Sequence, residues 1–121
     1  MPILIGDAAL CLAQELDRRE TEGLVTNICW VVMPNHLHWL FELRCESLSM
    51  TVQKLKTLST RRLNQLHGCQ GPVWQSGFYD HRVRAFEDLR AQAFYIQQNP
   101  LRSGLVEPGE IFPHAWCRYP E

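Results

Sequence analysis

The chain has 121 residues, 45% of them apolar and 21% charged, and a net charge of −1. That is room for one domain with one core and too little for two, and no apolar run approaches the ~18–20 residues of a membrane helix. The N-terminus, Met1-Pro2-Ile3-Leu4-Ile5-Gly6-Asp7, lacks the basic flank of a signal peptide, so a cytoplasmic location is expected.

Asp7 is positioned to cap a helix from about Ala8 to Thr21, with Leu10, Leu12, Ala13 and Leu16 as a loose apolar stripe. Gly23 stops that helix. From Leu24 to Met33 the residues are apolar and β-branched on both faces, the pattern of a central, covered strand. Pro34-Asn35 reads as a turn into a second strand, His36 to Leu43, and so short a link favours an antiparallel hairpin.

Ser47 or Ser49 starts a second helix that runs to about His67. Val52, Leu55, Leu58, Leu63 and Leu66 form its apolar side, and Gly68, Gly71 and Pro72 end it. Val73 to Val83 is aromatic and reads as a strand. Glu87 and Asp88 suit the first turn of a third helix through Phe94, Tyr95 and Ile96. Asn99-Pro100 breaks or kinks that helix, because proline disfavours helical backbone at the residue before it. Leu101 to Val106 is short helix or turn, and the tail after Pro108 is expected to be irregular. The order helix, strand, strand, helix, strand, helix predicts an α+β domain with a mostly antiparallel sheet and helices packed on it.

The five cysteines are odd in number, widely spaced and lack a Cys-x-x-Cys, which argues against a disulfide framework and against a zinc cage. Charge is unevenly spread. Residues 1–50 carry net −4, residues 51–106 net +5, and residues 107–121 net −2. A basic block of this kind is the footprint of phosphate binding, or else a solvated helix face. Within it Lys54, Lys56, Arg61, Arg62, Arg82 and Arg84 are the candidates for nucleic-acid backbone contacts.

Two constellations carry chemistry. In a strand, residues i and i+2 share a face, so His36 and His38 stand side by side. Such a pair is half of a metal site, or simply a pair of hydrogen-bonded core or edge histidines. On a helix, residues i and i+4 share a face, which pairs Tyr95 with Asn99. A phenol attacking a metal-polarised phosphate, with a carboxamide oxygen as third ligand, is one reading. A packing tyrosine and a helix-end asparagine is the other. Tyr79, in an aromatic stretch beside Phe78, is a rival nucleophile better suited to packing or base stacking.

Met33-Pro34-Asn35-His36-Leu37-His38 is followed by Gly71-Pro72-Val73-Trp74-Gln75 with Phe78-Tyr79-Asp80-His81. Tyr95-Ile96-Gln97-Gln98-Asn99-Pro100 and Gly104-Leu105-Val106 come after. This spaced combination resembles the single-tyrosine HUH transposases, most closely their REP-associated tyrosine transposase branch, from about Ala8 to Pro108. The resemblance implies a ferredoxin-like, HUH transposase-like domain spanning residues 1–121. It implies that His36, His38 and Asn99 hold Mg²⁺ or Mn²⁺. It implies that Tyr95 attacks single-stranded DNA bearing hairpins, leaving a 5′-phosphotyrosine and a free 3′-hydroxyl. Relatives usually begin with a further strand before the first helix; its apparent absence here would expose a sheet edge and is compatible with a homodimer. The reading from another class is a non-catalytic remnant that binds DNA or RNA hairpins.

Overall fold

The computed structural model describes residues 4–74 and 86–119. The elements are α1 (Asp7–Thr21), β1 (Val25–Met33), β2 (His36–Leu43), α2 (Leu48–His67), α3 (Phe86–Gln97), α4 (Asn99–Arg102) and β3 (Ala115–Cys117). They build an antiparallel sheet of order β2-β1-β3 with helices on both faces, the α+β architecture expected from the sequence. Most of the strand expected at Val73–Val83, with Tyr79, His81, Arg82 and Arg84, lies outside the described residues; Val73 and Trp74 are irregular.

Local chemistry accounts for most boundaries. Gly6, not Asp7, is the N-cap of α1, with the positive φ of 56° that glycine tolerates. Asp7 instead sits in the first turn, where its charge meets the helix dipole. Ser47 caps α2, its hydroxyl accepting from the Met50 N–H at 3.2 Å. Gly68 closes α2 in the left-handed region, its N–H reaching the Asn64 carbonyl. The buried stripe of α2 is Thr51, Leu55, Ser59 and Leu63, four residues apart each time. Leu66, expected on the apolar side, is exposed. Ser59 is accommodated inside because its hydroxyl donates to the Leu55 carbonyl at 2.6 Å and accepts from Trp74 Nε1 at 2.9 Å.

The hairpin register decides which residues share a face. Val31 lies opposite His38, Met33 opposite His36 and Cys29 opposite Leu40, so the two histidines stand on the Cys29–Val31–Met33 face. Trp30 opposite Trp39 and Val32 opposite Leu37 make the other face. A bulge between Asn27 and Cys29 shifts the register at the far end of the pair. Helices α1 and α2 cover the tryptophan face through Leu12, Leu16, Leu55 and Leu63, packed with Val32. Helix α3 covers the histidine face through Ala93 and Ile96, packed with Cys29, Val31, Met33 and Leu40.

The expectation of an irregular tail fails at one place. Ala115–Cys117 pairs antiparallel with β1 and is locked at both ends, by Val32 N–H to the His114 carbonyl at 2.9 Å and Arg118 N–H to the Ile28 carbonyl at 2.7 Å. Three residues are too few for an alternating pattern to show in the sequence. The open edge of β1, with N–H and C=O groups needing partners, selects them.

Candidate active site

The Pro34-Asn35 turn delivers His36 and His38 to the same face, with ring centroids 4.8 Å apart and near-perpendicular planes. Their Nε2 atoms lie 3.1 Å from each other. Asn35 Oδ1, which can only accept, takes the Nδ1–H of His36 at 2.7 Å. That bond leaves the His36 Nε2 lone pair aimed at His38. Desolvation pushes the pKa of His36 down from its ordinary value. His38 is pushed down by desolvation first, then by the neighbouring His36 and by the Arg102 guanidinium. Both rings are therefore biased toward the neutral form that ligates metals.

The pair fits a divalent cation. Two ligand atoms about 2.1 Å from one octahedral ion and at right angles are about 3.0 Å apart, close to the separation the imidazoles already hold. Among the described residues no cluster of three or more His, Cys, Asp or Glu occurs. Among the described residues a third protein ligand would be of another type, as a carboxamide oxygen is.

Tyr95 stands on α3, the helix that covers the histidine face, and is 57% exposed. After Gln97 the chain turns through Gln98 and restarts as α4, with Asn99 as its first residue and buried Pro100 next. Asn99 is half-buried. The predicted tyrosine–carboxamide pair is connected through a residue that sequence reasoning passed over except as one charge of the basic block. Arg102 lies with its guanidinium 4.0 Å from the centre of the Tyr95 ring. It donates to the Tyr95 carbonyl at 3.1 Å and to Asn99 Oδ1. A signal was present: Arg102 follows Tyr95 by seven positions and Asn99 by three, the spacings of one helix face. Asn35, which orients His36, was expected only to form the turn before it.

The other cations of the basic block are placed differently. Helix α2 packs on the tryptophan face of the sheet, opposite the histidines. Lys54 pairs with Glu46 at 2.7 Å. Arg62 points at α1, with Nη1 2.8 Å from the buried carboxylate of Glu15 and Nη2 2.7 Å from Gln14 Oε1. Lys56 is half-buried and Arg61 is exposed. Arg82 and Arg84 lie outside the described residues. Among the described cations of this block, Arg102 is the one found beside Tyr95 and Asn99.

Comparison with known proteins gives the family and the fold. The REP-associated tyrosine transposase of Escherichia coli (strain K12) is 30% identical over 89 residues, covering 71% of this chain and 50% of that protein. A relative from Haemophilus influenzae (strain Rd) is 28% identical over 95 residues, covering 69% of this chain and 54% of its own length. The chain therefore spans about half the length of these curated relatives. The solved structure of a REP-associated tyrosine transposase bound to a REP hairpin shares the fold, with a TM-score of 0.68 over 87% of this chain and 62% of that one, at 23% identity. The profile of the family described as Transposase IS200 like matches residues 11–99, from within α1 through β1, β2, α2 and α3 to Asn99, and the chain belongs to that family.

Proposed function

We propose that this chain is a metal-dependent single-strand DNA transferase that cleaves and rejoins hairpin-bearing DNA through a 5′-phosphotyrosine at Tyr95. The observation that carries the reading is the convergence of His36 and His38 Nε2, 3.1 Å apart, on the sheet face covered by the helix that bears Tyr95. The REP hairpin bound by the structurally similar transposase supports hairpin DNA as the substrate class.

The phenol oxygen of Tyr95 attacks the phosphorus of a phosphodiester. An Oη–P bond forms, the P–O3′ bond breaks, the phenol gives up its proton and the departing 3′-oxygen gains one. The bond energy stays in the phosphotyrosine, so a later attack by a 3′-hydroxyl rejoins DNA without a nucleotide cofactor. Tyr95 suits this role because its ring is exposed and a DNA strand reaches it without unfolding the helix. His36, His38 and Asn99 are the residues that would hold Mg²⁺ or Mn²⁺. When bound, the ion polarises the phosphate and offsets the charge that builds on it. Asn35 keeps His36 in the tautomer that leaves Nε2 free to ligate.

The test is a covalent adduct. Purified protein is incubated with a single-stranded oligonucleotide carrying an imperfect hairpin, with Mg²⁺ or Mn²⁺, and separated under denaturing conditions. Wild type should give a protein–DNA band that chelator removes. Tyr95→Phe should lose it, as should the double variant His36→Ala/His38→Ala. An adduct that persists in Tyr95→Phe refutes the nucleophile assignment. Salt-sensitive hairpin binding with no adduct under any metal refutes catalysis and leaves a binding module.

A further inference from the structure

We infer that Arg102 is the positioning residue of this site: its guanidinium holds the Tyr95 ring in place and turns the Asn99 carboxamide so that the oxygen, not the nitrogen, faces the site. The inference rests on the reading of Tyr95 and Asn99 given above. One planar group makes three contacts. It lies 4.0 Å from the ring centre, donates to the Tyr95 carbonyl at 3.1 Å, and donates to Asn99 Oδ1.

Each contact has its own consequence. Tyr95 is 57% exposed, so little packing holds its ring, and the guanidinium 4.0 Å from the ring centre supplies a wall on one side. The Tyr95 carbonyl lies in the last turn of α3, where it accepts from the Gln98 N–H at 3.2 Å. Arg102 adds a second, charged donor there and ties the end of α3 to the last turn of α4. The third contact chooses an orientation. A guanidinium has donors and no acceptor, so only the oxygen end of a carboxamide can face it. The other end, Asn99 Nδ2, is buried without a hydrogen-bond partner, so it does not set the flip. The oxygen has two lone pairs: one accepts from Arg102 and the other remains for a cation, which needs that same atom.

Lysine cannot substitute. Both hydrogen bonds come from Nη2 while the guanidinium plane lies by the ring; an ammonium can donate to two oxygens but has no planar face to set against the ring at the same time. This separates positioning from a direct phosphate contact, for which charge would suffice.

The experiment is single-turnover adduct formation across a range of hairpin concentrations in Mn²⁺, with Arg102→Ala and Arg102→Lys. At saturating hairpin the Ala variant should react about 10- to 100-fold more slowly. Its half-saturating concentration should stay within about twofold of wild type. The Lys variant should stay nearer to Ala than to wild type. An unchanged rate in Arg102→Ala overturns the inference. So does a full rate in Arg102→Lys combined with an Ala defect confined to hairpin affinity, which would make Arg102 a phosphate contact.

A second readout needs no cleavage. In protein carrying ¹³C-labelled tyrosine, the Tyr95 ring signal is identified by its loss in Tyr95→Phe. It should shift in both Arg102 variants, and an unmoved signal overturns the inference even if wild type forms no adduct. Absence of the adduct in wild type would sink the strand-transfer reading alone.

Discussion

Replacing Arg62 with alanine should destabilise the fold and leave nucleic-acid binding intact. The guanidinium sits 2.8 Å from Glu15 Oε2, and the Glu15 side chain is 1% exposed. Removing one partner of a buried ion pair costs about 3–5 kcal/mol because a charge is left without compensation. Two features lower that figure here. Arg62 itself is 31% exposed, and Glu15 keeps Arg18 at 3.3 Å and Arg19 at 3.8 Å. The expected loss is about 2 kcal/mol, which at an m-value of about 1.5 kcal/mol/M lowers the urea midpoint by roughly 1 M. Arg61, its exposed neighbour, should behave in the opposite way. Arg61→Ala should leave the midpoint unchanged and reduce the dependence of log K on log[salt] by about 0.7–0.9, the amount for one phosphate contact. Urea titration followed by tryptophan fluorescence reads the first quantity, and hairpin-binding anisotropy at several salt concentrations reads the second. An Arg62→Ala protein with an unmoved midpoint and a smaller salt slope would refute the reasoning. The contact with Glu15 would then contribute nothing to stability, and Arg62 would be a phosphate ligand.

Asn27→Ala should cost about 2–4 kcal/mol, because the buried side chain donates to the Leu16 carbonyl at 2.9 Å and accepts from Trp39 Nε1 at 2.7 Å. A thermal midpoint within a degree of wild type would contradict this. Among the cysteines, exposed Cys45 and Cys69 should react quickly with a maleimide. Cys29 is fully buried, and its pKa is pushed far up by burial and by the adjacent Cys117, so it should react only on unfolding; fast labelling of Cys29 in native protein would refute its placement. The lowered pKa values of His36 and His38 also set a sign. Between the folded value and 6.5 the unfolded chain binds more protons, so metal-free protein loses stability as pH falls through that window. The double variant His36→Asn/His38→Asn should show a flatter pH dependence below 6.5, and parallel curves would contradict the assignment.

Much of the site could be read before folding because its chemistry is carried by short periodicities. His36 and His38 share a face through the period of two of a strand, and the register of Val31 with His38 and Met33 with His36 bears this out. Helix ends were legible where a single residue sets them, as at Ser47 and Gly68, and mistaken at Asp7, where a glycine one position earlier provides the cap. The basic block was legible only as a composition. Charge counts cannot tell a cation that faces solvent from one that faces a buried carboxylate, and Arg62 against Glu15 is such a case.

The sequence by itself determined α1, β1, β2, α2 and α3, the hairpin and the shared face of the two histidines, since each depends on neighbours a few positions apart. Tertiary structure alone decided three things. It recruited Ala115–Cys117 as a strand, because the unsatisfied edge of β1 needed partners that no local pattern announces. It put α2 and its cations on the tryptophan face and α3 on the histidine face. It also set Arg62 of α2 against the buried carboxylate of Glu15 on α1, 47 positions earlier. These are matters of which distant groups meet, and they follow from the backbone hydrogen bonds and apolar surface that each element leaves unpartnered.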